Sequence, residues 1–82
     1  MNWRTRVKVK DLLNDDESPD AVRATMAAIA DRLEAAPQFR AFDTARFRNI
    51  PDGDDVVSEQ DYANRLLSRM YDYADENRIW ME

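Results

Sequence analysis

Side chains alternate strictly over residues 3–10, with Trp3, Thr5, Val7 and Val9 on one side and Arg4, Arg6, Lys8 and Lys10 on the other. A period of two predicts a strand covered on one face and wet on the other, and the basic row discourages stray edge pairing. Leu12 and Leu13 continue toward a core before a polar turn over residues 14–18. The period then changes. Val22, Met26, Ile29 and Leu33 follow at steps of four, three and four, the spacing of one buried helical stripe. Ser18, Pro19 and Asp20 supply an N-cap hydroxyl, a proline at the first helical position and an acid favoured by the helix dipole. This helix runs to about Ala35, and Pro37 stops it.

In residues 38–50 the positions of Phe39, Phe42, Phe47 and Ile50 fit short helical turns, with Asp43 as a cap, although residues 45–49 also alternate as a brief strand would. Pro51, Asp52, Gly53 and Asp54 have the composition of a turn in which Gly53 supplies any positive φ required. A second long helix starts at Ser58, with Asp61 three residues on as a near capping box. Its buried face is Ala63, Leu66, Leu67, Met70, Tyr73 and Ala74, and Asp61 and Arg65 stand at the spacing of an (i, i+4) ion pair. After Asn77, the run Arg78-Ile79-Trp80-Met81 is β-prone and is expected to pair with residues 3–10. The fold expected is therefore α+β: one domain over residues 1–82, with two main helices on a small sheet of N- and C-terminal strands and short helical turns between the helices.

Composition narrows the chemistry. The chain has no histidine, no cysteine and one glycine, whereas general bases, thiol nucleophiles, zinc ligands and phosphate cradles draw mainly on those residues. Ser18, Ser58 and Ser68 have no histidine partner. The cluster Asp52-Gly53-Asp54-Asp55 with Glu59 has its glycine second and its glutamate eighth, where an EF-hand loop needs them sixth and twelfth. No enzyme activity, metal or cofactor is expected. With 44% hydrophobic residues at regular spacings the chain should fold, although a domain this small buries only about 60% of the surface that its unfolded form exposes. No stretch is apolar enough to span a bilayer or act as a secretory core, which points to the cytoplasm and away from membranes.

Charge is distributed in blocks. Net charge is −5, yet residues 1–10 carry four positive charges and no acid, while residues 11–20 carry five acids and no base. Further acids cluster at Asp52, Asp54, Asp55, Glu59 and Asp61, and at Asp72, Asp75 and Glu76. An acidic surface of Asp15, Asp16, Glu17, Asp52, Asp54 and Asp55 would steer the chain to a basic partner protein, with Trp80 as an aromatic anchor. The two tryptophans are expected first to pack over the ends of the sheet, with a contact through Trp80 or Trp3 to a partner, or to a second copy in a homodimer, as the other reading. The alternative is a nucleic-acid face of Arg4, Arg6, Lys8 and Lys10, helped by Arg40, Arg46 and Arg48 interleaved with phenylalanines. A sequence pI near 4.6 works against it, because non-specific affinity for nucleic acid needs a broad positive field.

The stretch Tyr62-Ala63-Asn64-Arg65-Leu66-Leu67, the run Tyr71-Asp72-Tyr73-Ala74-Asp75-Glu76-Asn77-Arg78-Ile79-Trp80, and Phe47-Arg48-Asn49-Ile50-Pro51 together resemble small accessory proteins of bacteriophages and prophages. The resemblance covers the C-terminal half and brings no catalytic motif. It implies a protein that binds a host factor and blocks it, as anti-CRISPR and other anti-defence inhibitors do, or else a small structural or assembly component of a phage. The function expected is a non-catalytic protein-binding module acting by steric and electrostatic occlusion.

Overall fold

The computed structural model describes residues 6–13 and 18–82. Its two long elements are helices α1 (Pro19–Ala35) and α2 (Glu59–Glu76), joined through 3-10 turns at Pro37–Phe39 and Ala45–Arg48. Helix α1 starts where its chemistry directs: the Ser18 hydroxyl accepts the Ala21 N–H at 3.2 Å, and Pro19 fills the first position, where no N–H is needed. Its buried stripe is Val22, Met26, Ile29, Ala30 and Leu33. Helix α2 carries a complete capping box, in which Asp61 N–H donates to Ser58 Oγ at 3.2 Å and Ser58 N–H donates to Asp61 Oδ2 at 3.1 Å.

That box rules out one expected contact. Asp61 turns back to the cap, and Arg65 forms no ion pair with it.

The middle segment is helical turns, not a strand, and Asp43 Oδ1 accepts the Ala45 N–H at 2.9 Å at the start of the second turn. Phe39 and Phe47 are buried, and Phe42 is half-buried between them. The three rings meet edge to face, with centroids 5.6 Å and 5.8 Å apart, and Tyr73 of α2 joins the group 5.1 Å from Phe42. The Ala45–Arg48 turn packs most extensively against α1 and also touches α2, so the aromatic segment wedges both helices. Every buried residue among those described is apolar.

Among the described residues the expected sheet is absent, and the fold they form is helical rather than α+β. Trp3, Arg4 and Thr5 lie outside the described residues, and over the rest of that segment no strand forms. One isolated parallel bridge joins Val7 to Met81: Val7 N–H donates to Trp80 C=O at 2.9 Å, and Glu82 N–H donates to Val7 C=O at 2.8 Å. The ladder ends there because Val9, at φ −125° and ψ −15°, leaves the extended region and leads into a 3-10 turn over Lys10–Leu12. Two short parallel segments without a third strand have too few hydrogen bonds to make a sheet. Val7 and Val9 are nonetheless buried, so the alternation reports which side chains face the core and not which backbone groups pair.

The return of the C-terminus depends on a reversal after α2. Arg78 has φ 55°, Ile79 N–H donates to Ala74 C=O at 2.8 Å, and Arg78 N–H donates to Asp75 C=O at 3.3 Å. This is a Schellman arrangement with arginine where glycine is favoured, and it sends Ile79 back onto the core. Arg78→Gly is therefore expected to stabilise the protein by about 0.5–1 kcal/mol through relief of left-handed strain. The check is a urea titration in which the midpoint rises at constant m-value; a fall would mean that the Arg78 side chain stabilises more than its backbone costs.

Among the described residues no helix is long and apolar enough to cross a membrane.

Candidate functional site

Of the acidic residues that charge alone singles out, Asp52, Asp54 and Asp55 share the loop between Ile50 and the cap of α2, whereas Asp15, Asp16 and Glu17 lie outside the described residues. The loop is built from its own backbone. Asp54 Oδ1 accepts the N–H groups of Val56 and Val57, each at 2.8 Å, and Asp54 N–H donates to Val57 C=O at 2.8 Å. These two N–H donors, Val57 first, hold the Asp54 carboxyl below its ordinary 3.8.

Glu59 closes the loop from the first turn of α2. Its Oε2 accepts the Gly53 N–H at 2.9 Å, and that bond leads the causes that lower its titration from 4.5, with Arg23 adding to them. Arg23 of α1 reaches Asp52 at 2.7 Å and Glu59 at 3.5 Å. The loop is thus fixed to both helices. Gly53 has no positive φ, so the expected conformational role is replaced by a spatial one: a Cβ there would meet Glu59 N and Ser58 Cα, both at 2.8 Å.

What the loop presents outward is Asp55, which is exposed, and Val56, which is 85% exposed. Neither Asp55 nor Val56 uses its side chain in a hydrogen bond or ion pair with any described residue. Charge patterning missed Val56, because a Val-Val pair before a helix reads as core. The available signal was Asp54, whose carboxylate two and three residues upstream is placed to bind both valine N–H groups and turn the chain outward.

Trp80 lies beyond the opposite end of α2, whose 18 residues span about 27 Å, so it stands well apart from the loop. It is 59% exposed, and the Arg6 guanidinium sits 4.6 Å from its ring centroid. Arg6 also forms an ion pair with Glu82.

The proposed basic face is accordingly not a strand face. Arg4 is outside the described residues, Arg6 is neutralised, and of these four strand cations only Lys8 and Lys10 remain exposed without an ion pair among the described residues. Arg48 is likewise occupied, by Asp31 at 2.6 Å and Glu34 at 2.9 Å. Arg48, with the Thr44 hydroxyl, lowers the Glu34 titration, and the two carboxylates raise that of Arg48.

Among the described residues no three acids are grouped to hold a metal ion. No family model, curated protein or solved structure matches the chain, and the resemblance to bacteriophage inhibitors gains no support from those comparisons.

Proposed function

We propose that this chain is a non-catalytic binding protein that covers a basic surface of another protein with the loop over residues 51–57. The observation that carries the reading is Val56, 85% exposed at the tip of a loop whose backbone is already locked. An apolar side chain left in water contributes about 1.5–3 kcal/mol once a partner buries it. A loop ordered before binding loses little conformational entropy in the complex. Asp55 beside it, with no ion pair among the described residues, favours a partner rich in arginine and lysine and speeds the encounter.

Two features support binding rather than bond-making chemistry. Among the described residues, each carboxyl group with a displaced titration is displaced downward, toward permanent ionisation and away from the range of a general acid. The buried residues described are all apolar, which leaves no polar side chain enclosed at a reacting centre. The absence of cysteine suits work in a reducing cytoplasm.

The test is capture from an extract of the cells that carry the gene, followed by affinity measurement on the partner obtained. Asp55→Lys with Val56→Asp is expected to weaken that complex at least tenfold and to slow association, while Lys8→Glu with Lys10→Glu changes it less than twofold. Equal binding by the loop variant would overturn the assignment.

A further inference from the structure

A second surface has the opposite charge. Arg46 from the Ala45–Arg48 turn and Arg65 and Arg69 from α2 line a groove of about 400 Å³, together with Pro51, Tyr62 and Leu66. Arg6, Arg23, Arg32 and Arg48 are all held by carboxylates, yet none of the three groove arginines has such a partner among the described residues. The capping box accounts for part of this, since Asp61, the acid one turn before Arg65, is turned away to Ser58. Arg65 and Arg69 are four apart on one helix, a like-charge spacing that disfavours the helix unless an anion lies between them. In a chain with 17 acids and 12 bases, an anion in the groove would supply the neutralisation that the protein does not.

The groove is more than a charge. Tyr62 and Leu66 pack against the core and also form its wall, and Pro51 adds to the apolar surface. Asn49 also lines it; its amide Nδ2 donates to Ala45 C=O at 2.8 Å, which leaves Oδ1 as an acceptor without a partner among the described residues. Guanidinium forks match the oxygens of a phosphate, a tyrosine ring offers a flat face for stacking, and an amide oxygen accepts from an exocyclic amine. The volume lies within the range of small-ligand sites. A net charge of −5 repels long polyanions and so favours a single compact unit over a duplex.

We propose that this groove binds a nucleoside phosphate, with the phosphate between Arg46, Arg65 and Arg69 and the base against Tyr62. The assignment is independent of the acidic loop. The unit is either a free nucleotide or the phosphorylated end of a single strand.

The experiment is an NMR and calorimetric titration of the whole chain with inorganic phosphate, AMP, a 5′-phosphorylated tetranucleotide and an aspartate-glutamate hexapeptide. AMP is expected to bind at least tenfold more tightly than inorganic phosphate and to move the amide signals of Asn49, Tyr62 and Arg65. Arg65→Gln with Arg69→Gln should weaken AMP at least tenfold without lowering the thermal midpoint, since both side chains are exposed. Tyr62→Phe should keep the affinity and Tyr62→Ala should reduce AMP to the level of phosphate. A tetranucleotide that binds more tightly than AMP supports the strand end, and one that binds more weakly supports the free nucleotide. Absence of binding at millimolar AMP, a hexapeptide tighter than AMP, or AMP affinity unchanged in the double-glutamine variant would each overturn the proposal.

Discussion

Phe47→Ala is expected to lower the unfolding free energy by about 3–5 kcal/mol, the largest loss from any single side chain considered. Phe47 is 1% exposed and meets Phe42 edge to face, and Phe42 in turn meets Phe39 and Tyr73. Removing the ring forfeits its own transfer free energy, opens a cavity between the Ala45–Arg48 turn and α1, and leaves Phe42 without one of its aromatic neighbours. A domain of 82 residues has a total stability of roughly 4–12 kcal/mol, so the change consumes a large part of it. Urea unfolding followed by circular dichroism gives the measurement. Phe47→Leu, which keeps much of the volume, should cost about 1–1.5 kcal/mol. A loss below about 1 kcal/mol for the alanine variant would mean that the helices hold together without the aromatic wedge.

That wedge was half legible in the sequence. The spacing of Phe39, Phe42 and Phe47 points to helical turns facing inward, but the geometry between rings depends on Tyr73, 26 residues beyond Phe47 in the chain, and no local pattern ties the two. The helices themselves were legible because both of their starts are written locally, in Ser18-Pro19 and in Ser58 with Asp61. The strand pattern departs from the structure for a physical reason. Alternation fixes which side chains are buried, and Val7 and Val9 obey it, yet a ladder also needs extended backbone over several residues, which Val9 interrupts. The left-handed Arg78 carried no signal at all, since arginine is not the residue expected there.

Charge was the least legible feature, because a side chain has one position and cannot serve two local motifs. Asp61 fits both a capping box and an (i, i+4) pair with Arg65, and the box prevails, since its two bonds satisfy the backbone N–H groups of Ser58 and Asp61 at the helix start. Arg65 is released toward the groove as a result. Conversely, Arg48, which reads from the sequence as a free basic residue, is drawn to Asp31 and Glu34 on α1, 17 and 14 residues away. The basic residues that remain unpaired are thus chosen by three-dimensional competition for carboxylates, and Arg46, Arg65 and Arg69 emerge only once that competition is resolved.

Gly53→Ala is expected to destabilise the protein by about 1–3 kcal/mol and to release the acidic loop, although the backbone there is one that alanine adopts without strain. The added Cβ would lie 2.8 Å from both Glu59 N and Ser58 Cα, backbone atoms at the capped start of α2 that cannot rotate away. Either the loop moves outward or the cap does. If the loop moves, the Gly53 N–H bond to Glu59 Oε2 lengthens from 2.9 Å, and the Glu59 titration should rise back toward its ordinary 4.5. Glu59 is held below that value in the folded state, so its contribution to stability is complete above pH 4.5 and is lost as the pH falls through the lowered folded value. The glycine variant's acid sensitivity should accordingly diminish along with its stability. Crowding and conformational strain are separable by size: crowding makes Gly53→Val worse than Gly53→Ala, whereas a requirement for positive φ would make Gly53→Asn the best tolerated of the three. A ranking led by asparagine would show that the backbone at residue 53 is left-handed in solution, and that the spatial role assigned to this glycine is wrong.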